Sequence, residues 1–352
     1  MTELIERFVQ DPGYRKAMGF SEIVTEKYEL LAQGEYNVNY LFAHPETGRK
    51  LILRVNAGSQ MHLDRQIEYE AHALELLKDS RRTPGVYYVD GSKRSTDHGV
   101  LVMEYLPGEH LHYEEKLEMN GAMECLADIH SVKIDPGEVI YGEPETVPKD
   151  TVRLIAPSSA SGAILDECEA MVRTYMESDL GRDSIKSRLR RLLDRGHEIA
   201  PGGRDGDEGS LPYRCCINTE LNNTNFLVDK GYVRLVDWEK PLYGDPAQDL
   251  GHMLAPTTTF WKTEHILSSK ETDRLINEYI KAVCGRFDTD GIKARTLDLI
   301  NITCLRGLTW CAMAWVQYQD PDKLITHEST RKKLDDYLSD SFLSDIEKRF
   351  GL

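Results

Sequence analysis

Residues 218–249 read NTELNNTNFLVDKGYVRLVDWEKPLYGDPAQD, and this stretch decides how the chain is expected to fold. Its segment FLVDKGYVRLV has two apolar runs separated by Asp-Lys-Gly at 229–231, a sequence typical of a tight turn between strands. The pattern predicts a β-hairpin. Glu220 lies five residues before Asn225, and Asp237 ends the second predicted strand. The spacing therefore brings these three side chains to one end of the hairpin.

This arrangement has the side chains that phosphoryl transfer from magnesium-ATP requires. Protein kinases place a catalytic carboxylate five residues before an asparagine and follow it with a metal-binding aspartate. Mg²⁺ prefers oxygen donors and keeps several waters, so Asn225 and Asp237 are its predicted ligands together with the nucleotide phosphates. Glu220 is the predicted catalytic base, which accepts the proton of the attacking hydroxyl or orients it.

Two further motifs carry a family resemblance. The triplet DWE at 237–239 and the run GDPAQDL at 244–250 resemble, letter for letter, the aminoglycoside phosphotransferase and choline kinase superfamily of protein-kinase-like small-molecule kinases. That family's catalytic segment usually reads HGDLHPGN, whereas this chain has Asn218 in place of the His and Glu220 in place of the Asp. The added methylene moves the carboxylate oxygens about 1 to 1.5 Å outward unless the loop retreats. Two readings follow, an active kinase with Glu220 as base or a nucleotide-binding pseudokinase with little catalytic activity.

The resemblance implies an α+β, bilobal protein-kinase-like fold over about residues 20–350. A small β-rich N-terminal lobe with one long helix is expected over residues 1–105. A larger, mostly helical lobe is expected over residues 106–352, with the catalytic loop, the metal site and a helical acceptor-binding subdomain. The implied activity is transfer of the γ-phosphate of ATP to a hydroxyl of a small, cationic molecule.

The N-terminal third shows the strand pattern that such a lobe needs. Residues 28–55 contain three apolar or alternating runs separated by turn signals, which predicts a three-stranded meander. The turn QGEYNVNY resembles the family's phosphate-covering loop, with Gly34 and Asn37 in register. A simple connection between strands is the alternative.

The cation expected to hold the ATP phosphates is Arg54, at the end of the strand LILRV, where kinases carry a lysine. Its guanidinium fork can bridge phosphate and carboxylate. The expected carboxylate partner lies on a predicted helix with an apolar stripe, DRQIEYEAHALELLKD. Glu70 matches the family pattern, and Glu68 is the competing candidate.

Residues 100–108, VLVMEYLPG, form an apolar run that stops at Pro-Gly and resembles the family's hinge between lobes. The resemblance implies that the backbone of Met103, Glu104 and Tyr105 bonds the adenine edge. The Gly- and Asp-rich stretch at 200–210 predicts a flexible loop.

After residue 250 the chain has helical periodicity to its end. One apolar segment, LRGLTWCAMAWVQY, contains two tryptophans. In choline-type kinases a tryptophan on such a helix holds the quaternary ammonium by cation–π attraction, and a glutamine follows seven residues later. Trp310 and Gln317 fit that spacing, although aromatic residues on an apolar helix are more often core. Glu239 is a further candidate for substrate contact.

The family resemblance leaves the acceptor open between an aminoglycoside-like molecule and choline or ethanolamine. An aminoglycoside site needs carboxylates that face the catalytic loop. Four acidic residues of the predicted C-terminal helical segment are available for this: Asp335, Asp336, Asp340 and Asp345.

Composition limits the partners and the compartment. A formal net charge of −16 argues against nucleic acid and permits a cationic substrate, although acidity also serves solubility alone. Seven cysteines without a CxxC pair indicate reduced thiols. The sequence has no evident membrane span or signal peptide, so a cytoplasmic enzyme without membrane or nucleic-acid partners is expected, in an oligomeric state that the sequence does not specify.

Overall fold

The computed structural model describes residues 3–94, 96–200, 211–320 and 327–352. The N-terminal part is built on a five-stranded antiparallel sheet with the strand order β1-β2-β3-β5-β4. The strands are β1 (Glu29–Gln33), β2 (Asn37–Ala43), β3 (Lys50–Asn56), β4 (Val86–Asp90) and β5 (Gly99–Glu104). The meander predicted for residues 28–55 is confirmed. The loop predicted at 200–210 lies, from residue 201 onward, outside the described residues.

Two short helices cover the outer face of this sheet, α1 (Glu3–Val9) and α2 (Pro12–Met18). Phe8 and Tyr14 from these helices are buried in an apolar cluster with Phe42 of β2. Asp11 begins α2 by accepting a hydrogen bond from the Tyr14 N–H at 2.9 Å. The family resemblance did not predict these helices, because each is only seven residues long and too short for a clear periodic pattern.

The other face of the sheet is covered by α3 (Gln66–Leu77). The predicted apolar stripe of Ile67, Ala71, Leu74 and Leu77 is buried, and no member is more than 3% exposed. These side chains belong to one hydrophobic cluster that continues into the C-terminal part. Helix α3 therefore links the sheet to the rest of the protein.

The C-terminal part is mostly helical, and the predicted α+β fold class is confirmed. Its helices are α4 (Lys116–His130), α5 (Ala160–Glu177), α6 (Asp183–Ile199), α7 (Pro246–Leu254), α8 (Pro256–Lys262), α9 (Ser269–Val283), α10 (Ile292–Gln317), α11 (Glu328–Tyr337) and α12 (Asp340–Phe350). Its short strands are β6 (Glu109–His110), β7 (Val139–Tyr141), β8 (Leu154–Ala156), β9 (Cys215–Ile217), β10 (Phe226–Asp229), β11 (Tyr232–Leu235) and β12 (Leu242–Gly244). The boundary between the two lobes near residue 105 stays a prediction.

The predicted hairpin is formed by β10 and β11, which pair in antiparallel register from Phe226–Leu235 to Asp229–Tyr232. Lys230 and Gly231 join them with φ angles of 53° and 83°, as a two-residue turn of the primed type requires. Strand β11 ends at Leu235, so Asp237 lies two residues beyond the strand and does not end it. Its φ of 65° bends the backbone there, which ends the pairing.

Helix α10 is the long apolar helix of the C-terminal part and packs against α5 and α7. Among the described residues it alone has the length and composition that a membrane-crossing helix needs. Of its most apolar window, 61% is buried inside the protein. A position in the core accounts for that composition.

Candidate active site

The catalytic loop, which precedes the hairpin, is anchored by a buried carboxylate. Asp249 of α7 accepts hydrogen bonds from the backbone N–H groups of Asn218 and Thr219, each at 2.8 Å. Thr219 has a φ of 74°, an unfavourable value for a β-branched residue. His130, which is fully buried, lies 3.2 Å from Asp249 and 2.7 Å from the Tyr279 hydroxyl. His130 thus supports the loop from within the core.

Asn218 occupies the position of the family's histidine and is buried. Its amide nitrogen donates to the carbonyl of Asp237 at 2.8 Å, and its amide oxygen accepts from the Glu220 N–H at 3.2 Å. The side chain therefore ties the catalytic loop to the segment after the hairpin. Asn218 thus provides a structural link between Glu220 and Asp237.

Glu220, the predicted base, has one carboxylate oxygen in contact with neighbouring side chains and one oxygen without a hydrogen bond to the described residues. Its Oε1 accepts from the Gln60 amide at 3.0 Å and lies 3.7 Å from Lys240 Nζ and 3.8 Å from Arg306 Nη2. Its Oε2 makes no hydrogen bond to any described residue. Burial alone would raise the pKa of Glu220, but Lys240 and Arg306 outweigh it and hold the pKa below its usual value. Glu220 is therefore a carboxylate at neutral pH, with one oxygen available to a hydroxyl group.

Asn225 and Asp237, the predicted metal ligands, line the same two cavities. The Asn225 amide nitrogen donates to the Glu220 carbonyl at 3.3 Å, which turns the amide oxygen away from that carbonyl. The Asp237 side chain is 47% exposed, and its nearest cation is Arg54 at 3.5 Å. No cluster of three His, Cys, Asp or Glu side chains among the described residues could hold a metal ion alone. One carboxylate and one amide oxygen fit Mg²⁺ that takes its other ligands from phosphates and water.

The predicted pairing of Arg54 with Glu70 is present at 2.7 Å, and both side chains are buried. Glu68 instead pairs with Arg65 on the surface of α3. Burial alone would lower the pKa of Arg54, but Glu70, Asp237 and Glu239 raise it on balance, so the guanidinium stays charged. The second oxygen of Glu70, Oε2, is buried and has no hydrogen-bond partner in the described chain.

Carboxylates outnumber cations around Arg54. Burial, which is the larger cause, and the negative charge of Asp237 together raise the pKa of the Glu239 carboxyl to about 7. Glu239 lies 3.5 Å from Arg54 and accepts a 2.5 Å hydrogen bond from Asn37. Three carboxylates around one guanidinium leave an excess of negative charge, which a divalent cation would neutralise.

Gly34 and Asn37 both line the large cavity beside the sheet. The Asn37 amide is already bonded at both ends, to Glu239 and to Asn56 at 2.9 Å. A Cβ on Gly34 would meet the Asn37 carbonyl at 3.8 Å, an ordinary contact, and Gly34 does not have a positive φ. The fold therefore does not require glycine at this position, whereas the close approach of a ligand would.

This large cavity has a volume of about 520 Å³ and lies between the sheet, α3 and the hairpin. It is lined by the predicted hinge residues Met103, Glu104 and Tyr105 and by the neighbouring Leu106. The N–H groups of Glu104 and Tyr105 already donate to Gly85 and Lys50, at 2.8 and 3.3 Å. At these two residues the hinge can therefore offer a ligand carbonyl oxygens but not N–H donors.

Three more cavities continue from the large one toward the helices. A 200 Å³ cavity shares Asn225, Asp237 and Glu239 with it and contains Glu220. Cavities of 330 and 380 Å³ lie further out, the first against α5 and the second between α8 and α10. His252 and Arg306 line all three of these cavities. The openings thus form a continuous row from the large cavity, past Glu220, to the helical region.

Trp310 lines one of these cavities, whereas Gln317 lines none of them. Trp310 is 39% exposed, lines the 380 Å³ cavity and meets Trp261 edge to face at a centroid distance of 5.2 Å. Gln317 is exposed at the end of α10 and lines none of the cavities described above. Trp315 is partly buried, packs against Tyr175 and donates to Asp335 at 2.8 Å. The Trp310–Gln317 pair expected for choline is therefore not assembled, because the last turn of α10 extends beyond the cavity.

The acidic residues proposed for an aminoglycoside site also lie away from the row of cavities. Asp335 bonds Trp315, Asp340 pairs with Arg188 at 3.1 Å, and Asp345 pairs with Lys348 at 3.0 Å. None of the four, Asp336 included, lines the cavities around Glu220. Helices α11 and α12 place these side chains on another part of the surface.

Sequence reasoning missed Lys240, Arg306, His252 and Gln60. A signal existed for Arg306, which is the single charged residue among residues 299–316 of an otherwise apolar helix. A charge in that setting needs a partner, and Glu167 supplies one through contacts of 2.8 and 3.3 Å. Lys240 directly follows the DWE triplet. No pattern marks Gln60 or His252.

Comparisons with known proteins identify the family of the chain. Residues 27–295 match the model of the phosphotransferase enzyme family (APH). The chain belongs to this family and is an ATP-dependent kinase that phosphorylates a hydroxyl group of a small molecule. No curated protein matches the sequence at a significant level.

Solved structures resemble the chain in fold over almost its whole length. A proposed aminoglycoside phosphotransferase from Ralstonia eutropha superposes with a TM-score of 0.65 at 14% identity, covering 100% of this chain and 98% of its own. Choline kinase from Cryptosporidium parvum gives 0.61 at 11% identity, with coverages of 98% and 94%. Amicoumacin kinase, solved in complex with AMP-PNP, Ca²⁺ and Ami, gives 0.59 at 14% identity, with coverages of 99% and 96%. At such identities the likeness concerns the fold alone.

Proposed function

We propose that the protein binds magnesium-ATP in the 520 Å³ cavity and transfers the γ-phosphate to a small molecule held in the cavities beyond Glu220. The observation that carries this assignment is the 200 Å³ cavity, which is lined together by Asn225, Asp237 and Glu220. A γ-phosphate at Asp237 would face a hydroxyl at Glu220. Phosphoryl transfer needs the attacking hydroxyl in line with the bond from the γ-phosphate to its leaving group.

On the nucleotide side, the adenine would lie against Met103, Glu104 and Tyr105. Carbonyl oxygens of this segment would accept from the adenine amino group, because two of its N–H groups are already used. Arg54, fixed by Glu70, would hold the phosphates, and the loop from Gly34 to Asn37 would cover them. A bound Mg²⁺ would neutralise charge on the phosphate oxygens.

At the reacting centre, Glu220 would accept a hydrogen bond from the acceptor hydroxyl through Oε2. The loose transition state of phosphoryl transfer needs little help from a strong base, so the lowered pKa of Glu220 does not prevent this role. Gln60 holds the other oxygen, and the Asp249 contacts fix the backbone. These contacts offset the freedom that the extra methylene of glutamate introduces.

The remaining sequence expectations stay part of the proposal. They are Mg²⁺ as the metal, a cytoplasmic location, and the absence of nucleic-acid and membrane partners. The location is supported by the seven free cysteines, six of them buried. Oligomeric state is left open.

The test is Glu220→Gln, with magnesium-dependent ADP release measured with and without acceptors. The variant keeps the shape and removes the charge, so turnover should fall roughly 10²- to 10⁴-fold while ATP affinity changes little. Glu124→Gln, an exposed site on α4, is the control and should match the parent enzyme. Unchanged turnover would remove Glu220 from this role. A silent parent enzyme that gains activity on Glu220→Asp would instead support the pseudokinase.

A further inference from the structure

We infer that the acceptor is an acidic molecule, which carries a carboxylate or phosphate group near its reacting hydroxyl and binds it through Lys240 and Arg306. This inference rests on the proposed function and replaces the expectation of a cationic acceptor. Both cations lie within 4 Å of Glu220, at 3.7 and 3.8 Å. The chemical group next to the reacting hydroxyl therefore meets Lys240 and Arg306, whose charges Glu220 and Glu167 offset and whose remaining donors are open to a ligand.

The two cations belong to the acceptor side of Glu220. Both line the 200 Å³ cavity and the 330 Å³ cavity beyond it. Neither residue lines the 520 Å³ cavity, where Arg54 is the cationic side chain of the lining. The phosphates of ATP thus have a cation of their own, and Lys240 and Arg306 remain for a second ligand.

Both side chains retain donors for such a ligand. Lys240 Nζ makes no hydrogen bond to any described residue, and its nearest carboxylate oxygen is 3.7 Å away. Arg306 gives Nε and Nη2 to Glu167, which fixes the plane of the guanidinium, while Nη1 has no hydrogen-bond partner in the described chain. The Lys240 and Arg306 side chains are 26% and 23% exposed. Partly buried donors without partners are the groups that a ligand anion satisfies.

The carboxylates near these cations do not form a site for an amine. Glu167 is engaged by Arg306 through both of its oxygens. Glu143 lines the 330 Å³ cavity, and its Oε1 accepts two hydrogen bonds from Ser158, at 2.9 and 2.6 Å. Glu145 lies at the exposed rim. An ammonium group beside the reacting hydroxyl would lie against Lys240 and Arg306, and that repulsion disfavours an amino alcohol.

The first experiment compares hydroxyl acceptors of similar size that differ in charge. Magnesium-dependent ADP release by the full chain is measured with gluconate, glucose 6-phosphate and glucosamine, and with glycerate, glycerol 3-phosphate and ethanolamine. In each series kcat/KM for an acidic member should exceed that of the amine at least tenfold. The carboxylate and phosphate members show which anion is preferred. Preference for the amines would overturn the inference.

Substitutions then locate the effect. Lys240→Met should raise the acceptor KM at least tenfold for the preferred acid, with the ATP KM changed less than threefold. Arg306→Met is made together with Glu167→Gln, so that the Glu167 carboxylate is not left without its partner beside the cavity, and should act in the same way. Lys281→Met, an exposed lysine of α9, is the control. An equal rise in the ATP KM would assign the cations to the phosphates of ATP and overturn the inference.

A binding measurement separates this inference from the proposed function. Calorimetry with gluconate, glucose 6-phosphate and glucosamine is carried out on the protein saturated with magnesium and AMP-PNP. At least one acidic probe should bind tenfold more tightly than glucosamine and lose that advantage in Lys240→Met. Equal binding of the probes would overturn the inference. An acid that binds but is never phosphorylated would leave the anion site standing and count against Glu220 as base.

Discussion

The two sides of Glu220 differ in how their charges are arranged. On the nucleotide side, Glu70, Asp237 and Glu239 surround one guanidinium, and Glu70 Oε2 is buried without a partner. On the acceptor side, Lys240 and Arg306 flank one carboxylate. The first arrangement suits a divalent cation with its phosphates, and the second suits an anion. The comparison indicates that carboxylates outnumber the cation on the nucleotide side, whereas on the acceptor side two cations are balanced by Glu220 and Glu167 and retain free donors.

The largest effect on turnover is expected from a substitution of Asp237, on the nucleotide side of Glu220. Asp237→Asn keeps the size of the side chain and removes the charge that would hold the metal. We expect kcat to fall about 10³-fold, which corresponds to about 4 kcal/mol of lost stabilisation in the transition state. Activity should also need much more magnesium. Steady-state kinetics across a magnesium titration measures both quantities.

The matched control is Asp229→Asn, which lies at the turn of the same hairpin, 3.9 Å from Arg234. It should keep parental kinetics. If Asp237→Asn retained both its turnover and its magnesium response, the carboxylates on the nucleotide side of Glu220 would not form a metal site.

A smaller effect is expected at Arg54. Arg54→Met should weaken AMP-PNP binding about 10- to 100-fold, since charge-assisted hydrogen bonds to phosphate are lost. It should also lower the melting temperature, because Glu70 is left buried and unpaired. Calorimetry and thermal unfolding measure the two effects separately.

The double variant Arg54→Met with Glu70→Gln separates the two roles of the ion pair. The neutral amide removes the unpaired charge, so stability should recover while nucleotide affinity stays low. Recovery of affinity together with stability would mean that Arg54 supports the fold and does not contact phosphate.

The same division explains what the sequence could predict. The hairpin and the α3 stripe follow from local periodicity, and the Arg54–Glu70 pair follows from the family resemblance, because ATP and its metal demand groups of similar chemistry at similar positions. Asp249, the aspartate near the end of the family-like run GDPAQDL, anchors the catalytic loop through two backbone contacts.

The acceptor side has no such constant ligand. Gln60, Lys240, His252 and Arg306 come from four separate segments and meet only through tertiary packing. Seven-residue spacing placed Trp310 and Gln317 on one face of α10, but it could not show where the cavity ends. Helices α1 and α2 were missed for a similar reason, since their short sequences carry too little periodicity.

Trp310 gives the smallest and most selective test of the acceptor side. Trp310→Ala opens the 380 Å³ cavity where this ring meets Trp261. We expect the acceptor KM to rise about tenfold, equivalent to about 1.4 kcal/mol, with kcat and the ATP KM little changed. Trp310→Phe should recover most of the loss, because an aromatic face is restored.

Trp315, the second tryptophan of α10, provides the matched control for Trp310 on the same helix. Trp315 packs against Tyr175 and bonds Asp335, and it does not line the cavity, so Trp315→Ala should lower the melting temperature and leave the acceptor KM unchanged. Equal effects of the two variants on KM would mean that α10 acts through its packing as a whole. A selective effect of Trp310 would show that the acceptor extends from the charged groups at Glu220 to an aromatic wall. The two sides of Glu220 would then differ in polarity as well as in charge.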